Sequence, residues 1–118
     1  MLIKHTLVMD VEGYFAIKNY LYELQINKKL LNDVYVQKFY KAFAVESSIK
    51  LDRNVRLFDN PSSLVIFYLE NDSTLLATIA LFCREHAMDQ NRKNPQLAKA
   101  LNVIKDYISA ELIDLNNL

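Results

Sequence analysis

Asn54-Val55-Arg56-Leu57-Phe58-Asp59-Asn60-Pro61-Ser62-Ser63-Leu64-Val65-Ile66-Phe67-Tyr68-Leu69 decides the fold, because this stretch admits two opposite structures. As a β-hairpin it has limbs at Asn54–Phe58 and Leu64–Leu69 around a turn at Asp59–Ser63, and the β-branched and aromatic second limb suits a strand. As a helix it starts at Asn60, the cap, with Pro61 at the first helical position, where its missing N–H costs nothing. Six contiguous apolar residues fit a buried strand or a buried helix equally. The helix is preferred and the hairpin is the alternative; in a hairpin, residues 2–9 are the natural third strand.

Outward from this segment the chain reads as helices joined by short polar links. Tyr14, Ile17, Leu21 and Leu24 recur at steps of three and four within residues 11–25, with Gln25–Lys29 as the break. Asp33 begins a second helix capped by Asn32, whose apolar arc includes Tyr35, Val36, Phe39, Tyr40 and Phe43. Ser73 caps a third, running to about Asp89, which is apolar nearly all round through Leu75, Leu76, Ile79, Leu81, Phe82 and Cys83, as a central helix is. Asn94-Pro95 opens the last, whose stripe is Leu97, Leu101, Ile104, Ile108, Leu112 and Leu115. The chain has a single glycine, Gly13, so turns fall to Asn, Asp and Ser. The expected fold is one mainly α domain spanning 1–118. It is a compact bundle of about five helices around the buried helix 74–89, with a short β-hairpin at 54–69 as the variant.

Composition narrows the function more than it names one. The 118 residues are 52% apolar and 24% charged with zero net charge, which excludes disorder and gives one real core. One cysteine excludes a disulfide scaffold, and the apolar runs Pro61–Leu69 and Leu75–Cys83 are about half a bilayer span. A cytoplasmic protein without a membrane segment is expected. A glycine loop for phosphates is impossible with one glycine. Cys83 and His86 lie a helical turn apart, but two ligands make no zinc site, and a thiol on an apolar helix is inert. His86 shares a face with Leu75, Ile79 and Phe82, which predicts a hydrogen-bonded histidine at the core edge. No catalytic, metal or cofactor residue is assigned, and no enzyme is expected.

Charge is segmental: Lys28 to Arg56 and Asn91 to Lys105 are basic, and Leu57 to Gln90 is acidic. Two DNA-binding arrangements follow. In Pro95–Ser109, the residues Leu97-Ala98, then Leu101-Asn102-Val103, then Ile108 form a pattern that resembles the repressor-type helix-turn-helix. The resemblance implies a motif at 95–112 with a turn at Asn102 and with Lys105, Asp106 and Ser109 facing the groove. Ile104 stands where that family has a capping Ser or Thr, and Glu111 where it has an apolar residue. Alternatively, residues 12–69 form a winged helix, in which Gln37, Lys38 and Lys41 enter the groove and Arg53 and Arg56 flank a wing at Asp59–Ser63. In length, in its apolar middle helix and in its ending Ile104–Leu115 the chain is also similar to the small poxviral Bcl-2-like proteins, which implies a groove for an amphipathic helix.

The preferred function is a small interaction module of the adaptor, inhibitor, immunity or chaperone type, whose partner is another protein. Seven tyrosines and six phenylalanines are many for a core of this size, and tyrosine is favoured at interfaces. Phe15, Tyr22, Val36 and Tyr40 lie off the principal stripes and are the interface candidates, a homodimer being the simplest way to cover them.

Overall fold

The computed structural model describes residues 1–30, 33–57 and 60–117, with backbone alone for 52–57 and 60. The deciding segment is a hairpin. Strands β1 (Leu2–Asp10), β2 (Ser48–Leu57) and β3 (Asn60–Glu70) form one antiparallel sheet in the order β1-β3-β2. Helix α1 (Val11–Ile26) follows β1, and α2 (Val34–Phe39) continues as a π-helical segment (Tyr40–Val45) whose wider turn is closed by Glu46 N–H donating to Lys41 O at 3.1 Å. After the sheet come α3 (Ser73–Gln90) and α4 (Pro95–Asn116). The five-helix bundle is thereby overturned: among the described residues four helices pack on a three-stranded sheet.

The reason lies in the pairing of β3. Its Ser63, Val65, Phe67 and Leu69 are buried, while Leu64, Ile66 and Tyr68 face outward, so a run without polar alternation is still a strand with two distinct faces. β1 pairs with it along its whole length, from Leu2↔Glu70 to Asp10↔Ser62. Pro61 lies one residue past the end of β1, opposite Arg56 of β2, so on the β1 side its missing N–H leaves no ladder partner unmet. A register shift between Asp52 and Arg56 precedes the hairpin end, where Leu57 pairs with Asn60. The strand therefore begins at Asn60 and takes in Pro61–Ser63, which the expected wing had claimed. Asp59 of that wing, and Asn32, the expected cap of α2, lie outside the described residues.

Each helix starts on an acidic or amide side chain. Asp10 accepts from Gly13 N–H, Asp33 from Tyr35 and Val36 N–H, Asp72 from Thr74 and Leu75 N–H, and Asn94 from Leu97 N–H with Pro95 at the first turn. The caps of α2 and α3 are thus Asp33 and Asp72, and Ser73, the expected cap of α3, is its first helical residue. α3 and α4 form an antiparallel helical hairpin, and α4 runs on without a break through Asn102. α3 is not enclosed on all sides, since Leu81 and Met88 are exposed on its outer face. Leu97, Leu101, Ile104 and Ile108 of α4 are buried, with Leu112 and Leu115 partly buried against the same core.

Gly13 marks the tightest packing point. A Cβ built there would stand 2.8 Å from Asp10 Oδ1 and 3.0 Å from Ala100 Cβ of α4. Replacing a helical glycine by alanine ordinarily gains up to about 1 kcal/mol. Here Gly13→Ala is expected to reverse that sign and lower the urea midpoint, because the cap and the α1–α4 contact must both give way. An unchanged or higher midpoint would contradict this packing.

Candidate protein-binding surface

α1 carries two opposed rows. Gly13, Tyr14, Ile17, Leu21 and Leu24 are buried against the sheet, the π segment and α4. On the other side Phe15, Tyr22 and Ile26 are 49%, 57% and 57% exposed, with Asn19 exposed between them. Beside this row an open cleft of about 560 Å³ separates α1 from the turn between α3 and α4. Glu12, Phe15, Asn19, Tyr20 and Glu23 line it from α1, and Gln90, Asn94 and Gln96 from the turn, so its wall is acidic and amide-rich around two aromatic rings. Gln96 Nε2 donates to Glu12 Oε2 at 2.7 Å and closes the lower end.

The far side of α1 is pinned at the junction of α2 and β2. Tyr14 OH donates to Ser47 O at 2.9 Å, Ser47 Oγ donates to Phe43 O, and Lys18 Nζ donates to Tyr14 OH at 2.9 Å and to Ser47 O at 3.4 Å. These bonds fix the azimuth of α1 and hence the direction in which Phe15 and Tyr22 project.

The four interface candidates do not share one surface. Phe15 and Tyr22 are exposed on α1, Val36 is buried in the core, and Tyr40 is partly buried against it. The width of the apolar arc on α2 is used up by Phe39, Ala42 and Phe43 facing the core, and Val36 joins them. Ile26, which sequence reasoning passed over at the end of the helix, completes the row. The signal was its spacing of four from Tyr22.

The DNA-contact candidates scatter. Gln37 Nε2 donates to Gln25 Oε1 at 3.0 Å and to Leu30 O at 2.7 Å, which ties α2 to the end of α1. Lys38 pairs with Glu70 at 3.2 Å, and Lys41 is exposed. Arg53 and Arg56 stand on β2, their side chains outside the described residues. The helix-turn-helix at 95–112 is overturned by the continuous α4: the Leu97–Ile108 stripe stays on one buried face, Lys105 pairs with the neighbouring Asp106 at 3.4 Å, and Ser109 is partly buried. Between α3 and α4 lies a groove of about 300 Å³ lined by Arg84, Ala87, Met88, Asn91, Asn102 and Lys105, polar and basic rather than an apolar trough for a helix.

Both histidines share hydrogen bonds with tyrosines, and the cysteine is buried. His86 shares a hydrogen bond with Tyr20 OH and lies against the Phe82 ring at 4.0 Å, the core-edge position its spacing predicts. His5, which the sequence did not single out, is buried, stacks on Phe67 at 5.1 Å and shares a hydrogen bond with Tyr107 OH at 3.1 Å. Cys83 is fully buried, and loss of hydration pushes its thiol well above the ordinary range. No group of three metal-ligating side chains occurs among the described residues.

No protein-family model matches the chain, and neither a curated protein nor a solved structure is found to be similar to it. Among the described residues no helix is long and apolar enough to cross a membrane.

Burial lowers both histidines below 6.5; Glu111 opposes this at His5, and Asp89 and Glu85 oppose it at His86. An unfolded histidine titrates near 6.5, so between that value and the folded one the unfolded chain binds more protons and stability rises with pH. Stability is therefore full above about pH 6.5 and falls as pH drops through the folded values. The urea midpoint should decrease between about pH 7.5 and about pH 5.5. In His5→Gln/His86→Gln, which keeps hydrogen-bonding groups but cannot titrate, most of that slope should vanish; an equal slope would place it elsewhere.

Proposed function

We propose that this chain is a non-enzymatic protein-interaction module of the adaptor, inhibitor, immunity or chaperone type, acting in the cytoplasm and holding a helical partner on the outer row of α1. One observation carries the proposal: Phe15, Tyr22 and Ile26 stand about half exposed in a single row on a helix whose opposite row is core. Aromatic anchors at the centre of an interface supply most of its binding energy. The pinning of α1 through Tyr14, Lys18 and Ser47 supports a preformed rather than adaptive surface. The engagement of both histidines by tyrosines and the burial of Cys83 favour binding over nucleophilic chemistry. The single buried thiol suits a reducing compartment.

A photo-crosslinking residue placed at Tyr22, in an extract of the source cells, should capture a protein. The same residue at Tyr68, half-exposed on the outer face of the sheet, should not. Capture at Tyr68 alone would move the docking surface to the sheet.

One observation favours a second reading, a winged-helix DNA-binding unit at 12–69: the β2–β3 hairpin that it requires exists. Against it, Gln37 and Lys38 are engaged within the chain. A fluorescent random duplex titrated at low and moderate salt is expected to show no salt-sensitive binding. Binding that falls steeply with salt and weakens in Lys41→Ala would favour the winged helix instead.

A further inference from the structure

Phe15, Asn19, Tyr22 and Ile26 recur at steps of four, three and four, within about 60° of one another at about 100° per residue. In heptad terms Phe15 and Tyr22 occupy d, and Asn19 and Ile26 occupy a, of a short seam on a 16-residue helix. We infer that the helical partner of this row is α1 of a second copy of the chain, laid parallel to the first across a two-fold axis. The inference rests on the reading of α1 as the docking face.

The flanks of the row choose the occupant and its direction. Lys18 stands on one side of the row, and Glu12 and Glu23 on the other. In a parallel two-fold pair the Lys18 flank of each helix meets the Glu23 flank of the other at the five-residue offset of g and e positions, so the ion pair forms twice. An antiparallel pair sets like flanks together, g against g and e against e, so Lys18 of one copy does not meet Glu23 of the other. Charge complementarity therefore belongs to the parallel arrangement. Asn19, alone and polar at an a position, meets its own copy there and fixes the register, as a buried Asn does in two-stranded coils. Lys18, whose ammonium donates to Tyr14 OH and Ser47 O, keeps a third N–H for Glu23 of the other copy. Glu12, held by Gln96, is drawn toward α4, which ends the seam at Phe15.

A seam of about three turns lies at or below the small end of specific interfaces, roughly 1,200 Å² in total, so the dimer dissociates on dilution. Sedimentation of the full chain over a concentration series should pass from twice its 13.7 kDa mass toward 13.7 kDa. Tyr22→Ser should be monomeric throughout, with the thermal midpoint of the dilute wild-type monomer. Glu23→Lys should weaken the dimer roughly tenfold, and mixing it with Lys18→Glu should restore association. Under oxidation Asn19→Cys should link to itself; Cys83 is buried and contributes no background. A wild-type chain monomeric at every concentration, a dimer indifferent to Tyr22→Ser, or Asn19→Cys linking only to Tyr22→Cys would overturn the inference. A monomer that still cross-links another protein at position 22 removes the second copy and leaves the α1 docking face standing.

Discussion

Phe67 is the point on which the architecture turns. It is fully buried on the inner face of the central strand, with its ring 5.1 Å from His5 of β1, 5.9 Å from Phe43 of the π segment and 6.3 Å from Tyr107 of α4. One side chain thus joins the sheet to two helical segments far apart in the sequence. Phe43 extends the contact to Tyr14 of α1 and to Phe39, and Phe39 extends it to Phe82 of α3. Because Leu7, Met9, Val65, Phe67 and Leu69 all point to this side, every helix gathers there and the other face of the sheet is left to solvent.

That asymmetry determines what each helix has left to offer. α4 and the first turns of α3 spend their apolar residues on each other and on the sheet. α1 spends only one row, and the Tyr14–Ser47 and Lys18 bonds keep it from rotating to bury the second. A row of large apolar side chains held outward by buried bonds is costly to leave wet, at about 25 cal/mol per Å² of apolar surface. A partner that covers the row gains that surface. The carboxylates and amides of the adjoining cleft keep the patch narrow and give it a charge pattern.

Much of this was legible in residue order. The helical periods of residues 11–25 and 97–115, the Asn94-Pro95 start and the edge position of His86 all follow from local spacing. So does the separation of Phe15 and Tyr22 from the core row, since both lie off the 14–17–21–24 stripe. The hairpin was not decided locally, because β3 is apolar on both faces: Leu64, Ile66 and Tyr68 look outward where a half-buried strand would show polar residues. The deciding evidence sat some sixty residues away, in the alternation of Lys4, Thr6 and Val8 with His5, Leu7 and Met9, which only pairing can connect to it. Val36 was misplaced for a related reason. An arc that wide on a helical wheel does not say which edge faces in until the π segment sets Phe43 against Phe67, and Phe39 lies against Phe43 and Phe82. His5 carried no local signal, since its partner Tyr107 is brought to it by the path of α4.

The central claim is that α1, and no other surface, is where this molecule meets a second copy of itself. The most direct test is a dilution series of isotopically labelled protein followed by backbone amide NMR. The account predicts that concentration-dependent shifts are confined to Phe15–Ile26 and to the rim of the adjoining cleft at Gln90–Gln96. Shifts centred on the outer face of the sheet, at Thr6, Val8, Ile66 and Tyr68, or spectra unchanged at every concentration, would contradict it.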